Sequence, residues 1–346
     1  MKRAIFTAIL MAIVLIAGGC RTKSALPEKN TMGKAYDVVV MCNDDVWRGD
    51  LSYAVCDLLE ERAPGLTRPE GYFNIVKQVE PARATELDRK YPNIFIISIN
   101  PTATRATYSV AKNAYARPQT LITVTAPTTE EAVQFITDAT TTLRSELEKA
   151  ERNRSNTYNA ARPAEQLMVD FKAHTGLEMI IPSYFYKATT RDSELLWYIR
   201  DFPKRADYIF AFTTPIDTSL PEDMRAFSVM SAIDQKLATI SSKGAQHSYM
   251  RLSNEPSSMT FTPGVMIAGR EWMEIRCWWE VANDFMGGPM VCFVNVDDTT
   301  GKATVIMFAL YAPEEPQRNL LRELEHLIYT IRMCRPKKVL QDLIQK

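Results

Sequence analysis

Apolar positions along the chain follow two periods, and the change from one to the other marks its elements. Asp37–Met41 is a β-branched run that reads as a buried strand. Trp47–Arg62 has helical spacing and stops at Pro64-Gly65. Ile94–Ile99 and Leu121–Thr125 read as two further strands, each closely followed by proline. Thr128 opens a long helix with capping-box spacing to Glu131, and Ala132, Ile136, Ala139, Leu143, Leu147 and Ala150 follow as one apolar stripe. The helix runs out into Glu151-Arg152-Asn153-Arg154, and the polar stretch to Arg162-Pro163 reads as a domain boundary.

Beyond it, Ala164–His174 reads as a helix stopped by Gly176. Strands are expected around Met179–Ile181, Leu195–Arg200 and Tyr208–Thr213, then a helix over Glu222–Ile240. Ser258–Ile267, Trp272–Val281, Met290–Val296 and Ala303–Tyr311 are long strands, the last two joined at Thr299-Thr300-Gly301. A final helix is expected over Pro316–Met333. Leu121–Pro127 and Ala303–Pro313 each read as a strand leading through Ala-Pro into an amphipathic helix, which suggests two similar halves. The expectation is an α+β chain of two sheet-plus-helix halves, 35–157 and 158–346, with mainly antiparallel sheets.

The first residues have a different character. Lys2 and Arg3 precede Ala4–Ala17, whose only polar member is Thr7. This is short of the roughly 20 apolar residues a spanning helix needs, and has the order of a secretory signal. It ends in Ala17-Gly18-Gly19-Cys20, which looks like a bacterial lipobox with Ala17 where leucine is more usual. Residues 1–19 are therefore expected to be a signal peptide, Cys20 to be lipidated, and the segment to residue 34 to contain a flexible tether. The partner this implies is a membrane, held through the lipid.

Of the 346 residues, 46% are hydrophobic and 24% charged, a globular composition. Without Lys2 and Arg3 the mature chain has 39 basic against 41 acidic residues, so no general attraction to nucleic acid is expected. Six cysteines, Cys20, Cys42, Cys56, Cys277, Cys292 and Cys334, show no metal-binding spacing. Cys277 and Cys292 lie on neighbouring predicted strands and read either as a cross-strand pair or as small buried hydrophobes. No nucleophile elbow, phosphate loop, dinucleotide fingerprint or zinc-helix motif occurs, so no cofactor or metal is expected. His174, His247 and His326 stand alone, His326 reading as a solvated residue beside an apolar stripe. Asp297-Asp298 reads as turn chemistry.

The pairs within Tyr184-Phe185-Tyr186, Trp197-Tyr198 and Trp278-Trp279 should point to opposite faces of a strand, leaving one of each pair in the core. Met286-Gly287-Gly288-Pro289 is the most unusual stretch, either a tight connection or the rim of a binding surface. Trp278, Trp279, Met286, Gly287, Gly288 and Pro289 are the candidate binding residues, expected to form an exposed apolar patch.

In order along the chain, Trp47-Arg48-Gly49, Pro64-Gly65-Leu66, Ala116-Arg117-Pro118-Gln119 with Ala126-Pro127, Ile181-Pro182-Ser183-Tyr184, Leu196-Trp197-Tyr198-Ile199-Arg200, Ser248-Tyr249-Met250, Met286-Gly287-Gly288-Pro289 and Tyr311-Ala312-Pro313 resemble a family of Bacteroidota lipoproteins defined as a domain of unknown function. Cys277 and Met290 depart from its pattern, where glycine and phenylalanine are more usual. The resemblance implies a lipid-anchored envelope protein and brings no activity or catalytic residue. Arg21, Thr22 and Lys23 stand where surface-exported lipoproteins of that phylum carry acids, which points to the periplasmic side of the outer membrane. The second half also resembles the Mog1 and PsbP type of α/β sandwich. Three functions are consistent with these observations. The first is a non-enzymatic module that binds or assembles an envelope protein. The second is a small-molecule or glycan binder using tyrosines and tryptophans in a cleft between the halves. The third, a hydrolase, would need scattered groups such as His247 and Asp297 within hydrogen-bond reach.

Overall fold

Parallel strands need long crossovers, and the first half supplies them. The computed structural model describes residues 30–242, 245–255 and 259–333; the expected signal segment, Cys20, most of the expected tether and Cys334 lie outside them. β1 (Asp37–Met41) is buried at every position and lies inside a five-stranded sheet with β2 (Asn74–Val79), β3 (Asn93–Ile99), β4 (Thr107–Lys112) and β5 (Thr120–Ala126). The order is β2-β1-β3-β5-β4. The pairs β1/β2, β1/β3 and β3/β5 are parallel and only β4/β5 is antiparallel. Among the described residues the strand pairs are mainly antiparallel, as expected, but this sheet departs from that pattern. The reason is α1 (Asp50–Glu60), which returns the chain from β1 to start β2 in the same direction. The two edge strands, β2 and β4, are absent from the sequence reading; β4 is exposed at all six positions and so has no apolar alternation to detect.

The helix expected from Thr128 breaks at Ala139 into α2 (Thr129–Asp138) and α3 (Thr140–Ala160). The Thr128 hydroxyl accepts from the Glu131 N–H at 3.2 Å, the hydroxyl half of the expected box. Leu51, Val55, Leu58, Ile136, Leu143 and Leu147 cover one face of the sheet, against Val38, Phe95, Ile122 and Val124. The expected boundary after residue 157 falls in the last turn of α3.

The second half is an antiparallel sheet packed on both faces. It contains β7 (Tyr186–Lys187), β8 (Leu196–Phe202), β9 (Arg205–Pro215), β10 (Tyr249–Leu252), β11 (Thr260–Ile267), β12 (Arg270–Ala282), β13 (Gly287–Asp297) and β14 (Lys302–Tyr311). The order is β10-β12-β13-β14-β9-β8-β7, with β11 also on β12. Alternation sets the layers. Val291, Phe293, Ile306, Phe308 and Leu310 face α4 (Glu165–Thr175) and α6 (Arg318–Glu325), which contribute Phe171, Leu321 and Leu324. Met290, Cys292, Val305 and Met307 face the other way, with Val229, Ile233 and Leu237 of α5 (Glu222–Leu237). The central strands therefore read as unbroken apolar runs.

Two local expectations change. The strand expected at Met179–Ile181 is β6 (Leu177–Glu178), paired with β15 (Arg332–Met333). The last helix ends at Glu325, continues as a 3-10 turn over His326–Thr330, and becomes extended at Ile331 so that β15 can meet β6. Cys277 lies opposite Met290 and Cys292 opposite Ile275, a diagonal placement. Both are free, buried thiols. The hydrogen bond to Cys277 and burial push the Cys292 thiol well above its ordinary range.

The halves meet over a charged and partly apolar seam. Ala63 and Leu66 of the first half join the core beneath α6. Gly65, at φ +80°, lets its backbone pass against Arg276, and its carbonyl accepts from the Trp278 indole at 3.1 Å. The Arg276 Nη1 meets Glu325 at 2.9 Å and its Nε meets Glu274 at 2.7 Å. Arg322 bonds the other Glu325 oxygen at 2.7 Å and reaches Glu148 of α3 at 3.4 Å. The two guanidiniums beside Glu325 outweigh its burial and hold its carboxyl down at about 2.

Candidate functional site

Between the halves lies a cavity of about 640 Å³. One wall is the tail of α3, where Glu151, Arg154, Ser155, Tyr158 and Asn159 recur at steps of three and four and so share a helix face. The opposite wall is Tyr184 with Arg200 and Phe202, alternate residues on one face of β8. Asn319, Leu320 and Glu323 of α6, with His326, close one side, and Lys34 to Tyr36 close the other.

The floor is a buried polar network. Glu151 accepts from the Tyr36 N–H at 2.8 Å and from Asn93 Nδ2 at 2.7 Å, and meets Arg154 Nη2 at 2.8 Å. The Tyr36 hydroxyl lies 3.0 Å from His326 Nε2. Burial drives His326 down to about 3 despite the nearby Glu325 carboxylate, so its ring is neutral at neutral pH. On the facing wall the Tyr184 hydroxyl donates to Asn159 Oδ1 at 2.8 Å. Burial pushes that phenol well up, and Glu323 adds to the effect. Arg200 stacks 4.4 Å over the Tyr184 ring and is held by Asp207 through Nε and by Glu323 through Nη1.

Several polar atoms of this wall have no partner: Arg154 Nε, Ser155 Oγ, Asn159 Nδ2, Arg200 Nη2 and His326 Nδ1. Asn159 is 1% exposed and His326 5%. Native interiors pair nearly all such atoms, and each one left unpaired costs about 1–3 kcal/mol. Their concentration around one cavity sets it apart from a packing gap.

The residues singled out in the sequence fall elsewhere. Trp279, Gly288 and Pro289 are buried, while Trp278, Met286 and Gly287 are half-buried, so they do not form the expected exposed patch. Gly287 and Gly288 begin β13 and pair with Glu280 and Trp279. Backbone approach is so close that a Cβ on Gly288 would sit 2.0 Å from the Leu310 carbonyl oxygen. Tight pairing, and not a rim, explains the glycines. Phe285, one residue before the motif, is the fully exposed side chain there. Trp279 and Met286 instead line a second cleft of about 580 Å³ with Trp197, Tyr208 and Phe210.

The alternation holds for Trp197-Tyr198 on β8 and Trp278-Trp279 on β12, whereas Tyr184-Phe185 lies before β7 with its two rings 5.3 Å apart. Phe185, Tyr198 and Trp279 enter the core, and their neighbours are freed for other roles. Tyr184 lines the central cavity, Trp197 lines the second cleft, and Trp278 bonds across the seam. Asp297 accepts from the Thr299 N–H and hydroxyl in its turn, at 3.0 and 2.6 Å. The His247 carbonyl accepts from Asn283. His326, read as solvated, is buried, because the 3-10 turn rotates it toward Tyr36. The cavity residues of α3 had one sequence signal, the helical spacing of Glu151, Arg154, Ser155, Tyr158 and Asn159 within a stretch read as a boundary. Among the described residues no cluster of three or more His, Cys, Asp or Glu side chains could hold a metal, and no helix is long and apolar enough to cross a membrane.

No curated protein matches the chain. Among solved structures, a point mutant of Mog1 aligns at 12% identity over 45% of this chain and 90% of its own, with a TM-score of 0.29. The Saccharomyces cerevisiae Ran-binding protein Mog1p aligns at 12% identity over 45% of this chain and 89% of its own, with a TM-score of 0.28. Scores this low carry no functional argument. Residues 31–159 match the family model described as a domain of unknown function (DUF8532), and residues 164–330 match the one described as a domain of unknown function (DUF4837), so each half resembles a domain family of unknown function.

Proposed function

We propose that the chain is a lipid-anchored, periplasm-facing lipoprotein of the bacterial outer membrane that binds a small molecule, without transforming it, in the cleft between its halves. The anchor rests on Lys2, Arg3, the apolar stretch and the Ala17-Gly18-Gly19-Cys20 sequence. The ligand-binding reading rests on one observation, the cavity of about 640 Å³ with its unpartnered buried donors. That volume is in the range of about 300–1,000 Å³ typical of small-molecule sites. Tyrosines on two of its walls fit the stacking role expected from the sequence. A protein partner is the second reading, supported by the fully exposed ring of Phe285.

The test is native mass spectrometry of the full chain extracted from membranes, before and after incubation with a small-molecule extract of the cell envelope. Bound mass should be retained by wild type and lost by Ser155→Trp, which fills the cleft, provided both melt at similar temperatures. A wild-type chain that retains nothing, or a variant that retains the same mass, removes the cleft-binding reading. Separately, Cys20→Ala should move the protein from the membrane to the soluble fraction; membrane retention would refute the anchor.

A further inference from the structure

The central cavity is one-sided in its hydrogen bonding. Arg154 Nε, Arg200 Nη2 and Asn159 Nδ2 can only donate, and all three lack a partner. Ser155 Oγ and the neutral His326 ring at Nδ1 can take either role. Among these unpartnered atoms, none is an obligate acceptor. A molecule that satisfies them must therefore bring acceptors.

Charge points the same way. Lys34, Arg154 and Arg200 line the cavity against the carboxylates of Glu151 and Glu323. Arg154 is paired with Glu151, Arg200 with Asp207 and Glu323, and Arg205 behind them with Asp207 and Glu315. Lys34 makes none of these ion pairs, and among the lining residues the cations outnumber the carboxylates by three to two. Next to the donors, the Tyr36, Tyr158 and Phe202 rings and Leu320 offer apolar surface.

Resting on the cleft-binding reading, we infer that the cleft takes a small organic monoanion, its oxygen acceptors meeting Arg154, Asn159 and Arg200 and its apolar body lying along the tyrosine and phenylalanine wall. Asn159 sets the sign of this preference. Its Oδ1 is already used by the Tyr184 hydroxyl, so its unpartnered Nδ2 is left as a donor. Asn159→Asp keeps the acceptor for Tyr184 and replaces the donor with negative charge, which reverses the local preference at almost constant shape.

The probes are phenylacetate, 3-phenylpropionate and 4-phenylbutyrate, each compared with its neutral primary amide, with acetate as a charge-only control. Binding to the full chain is measured by isothermal titration. At least one acid should bind tenfold or more tighter than its amide and than acetate, and Asn159→Asp should remove that advantage while leaving the melting temperature close to wild type. Should Asn159→Asp unfold the chain, Ser155→Ala serves as the second variant, with a weaker loss of acid binding expected. Acids and amides binding alike, an unchanged preference in the variants, or no acid bound at all overturns the monoanion inference. Retention of a neutral or cationic compound in the mass-spectrometric test would then leave the cleft-binding reading standing, whereas retention of nothing would remove both.

Discussion

Replacing Glu325 with glutamine tests the account of the seam most directly. Glu325 is 3% exposed and lies between Arg276 at 2.9 Å and Arg322 at 2.7 Å. Its folded value, about 2, is below that of an ordinary glutamate, so the unfolded chain takes up the proton first. The resulting stability is fully present above about pH 4.5 and is lost as pH falls toward 2. Its size from the pKa difference is about 3 kcal/mol. Glutamine keeps the shape but leaves two buried guanidiniums without their shared anion, a change that costs about 3–5 kcal/mol. Equilibrium urea unfolding of wild type and Glu325→Gln at neutral pH should show this loss as a lower midpoint. Repeated from pH 5 downward, it should show a gentler acid decline in the variant, because the titrating group is gone. A variant within about 1 kcal/mol of wild type, or one with the same acid decline, would refute the role given to this ion cluster.

Two further outcomes follow from the same structure. His326 is held neutral down to about 3 by burial, so wild type should lose stability as pH falls from about 6.5, by at most about 1.4 kcal/mol per pH unit. His326→Gln should flatten that slope between pH 6.5 and 5, above the range where Glu325 titrates, and an unchanged slope in urea unfolding would contradict the assignment. Gly288→Ala places a Cβ 2.0 Å from the Leu310 carbonyl oxygen and should cost about 3 kcal/mol or more. A near-native melting temperature for Gly288→Ala would show that β13 and β14 can separate there without penalty.

Particular elements show how far a single sequence carries. β1 emerged with its observed limits because a β-branched run between polar residues is a local signal. Trp197-Tyr198 and Trp278-Trp279 were assigned to opposite faces correctly because strand geometry alone demands it, whereas Tyr184-Phe185 is not on a strand. β4 escaped notice because an exposed edge strand has no buried face to pattern it. The Met286–Pro289 stretch drew attention for its glycines, yet the structure uses Gly288 to bring backbones together within a sheet. His326 looked solvated because its helix was assumed to continue, whereas the chain turns into a 3-10 segment at His326 and then pairs β15 with β6.

By itself the sequence determined the α+β class, most strands and helices and the existence of two halves, since periodicity, caps and composition act over a few residues. Only the tertiary structure decided that the first sheet is largely parallel, that the glycine motif is internal, and that a cavity opens between the halves. Tyr36 and His326 meet there across 290 positions, and Arg200 of β8 faces the tail of α3. Such meetings depend on how sheets and helices close over one another, and no local period encodes which distant side chains end on the same wall.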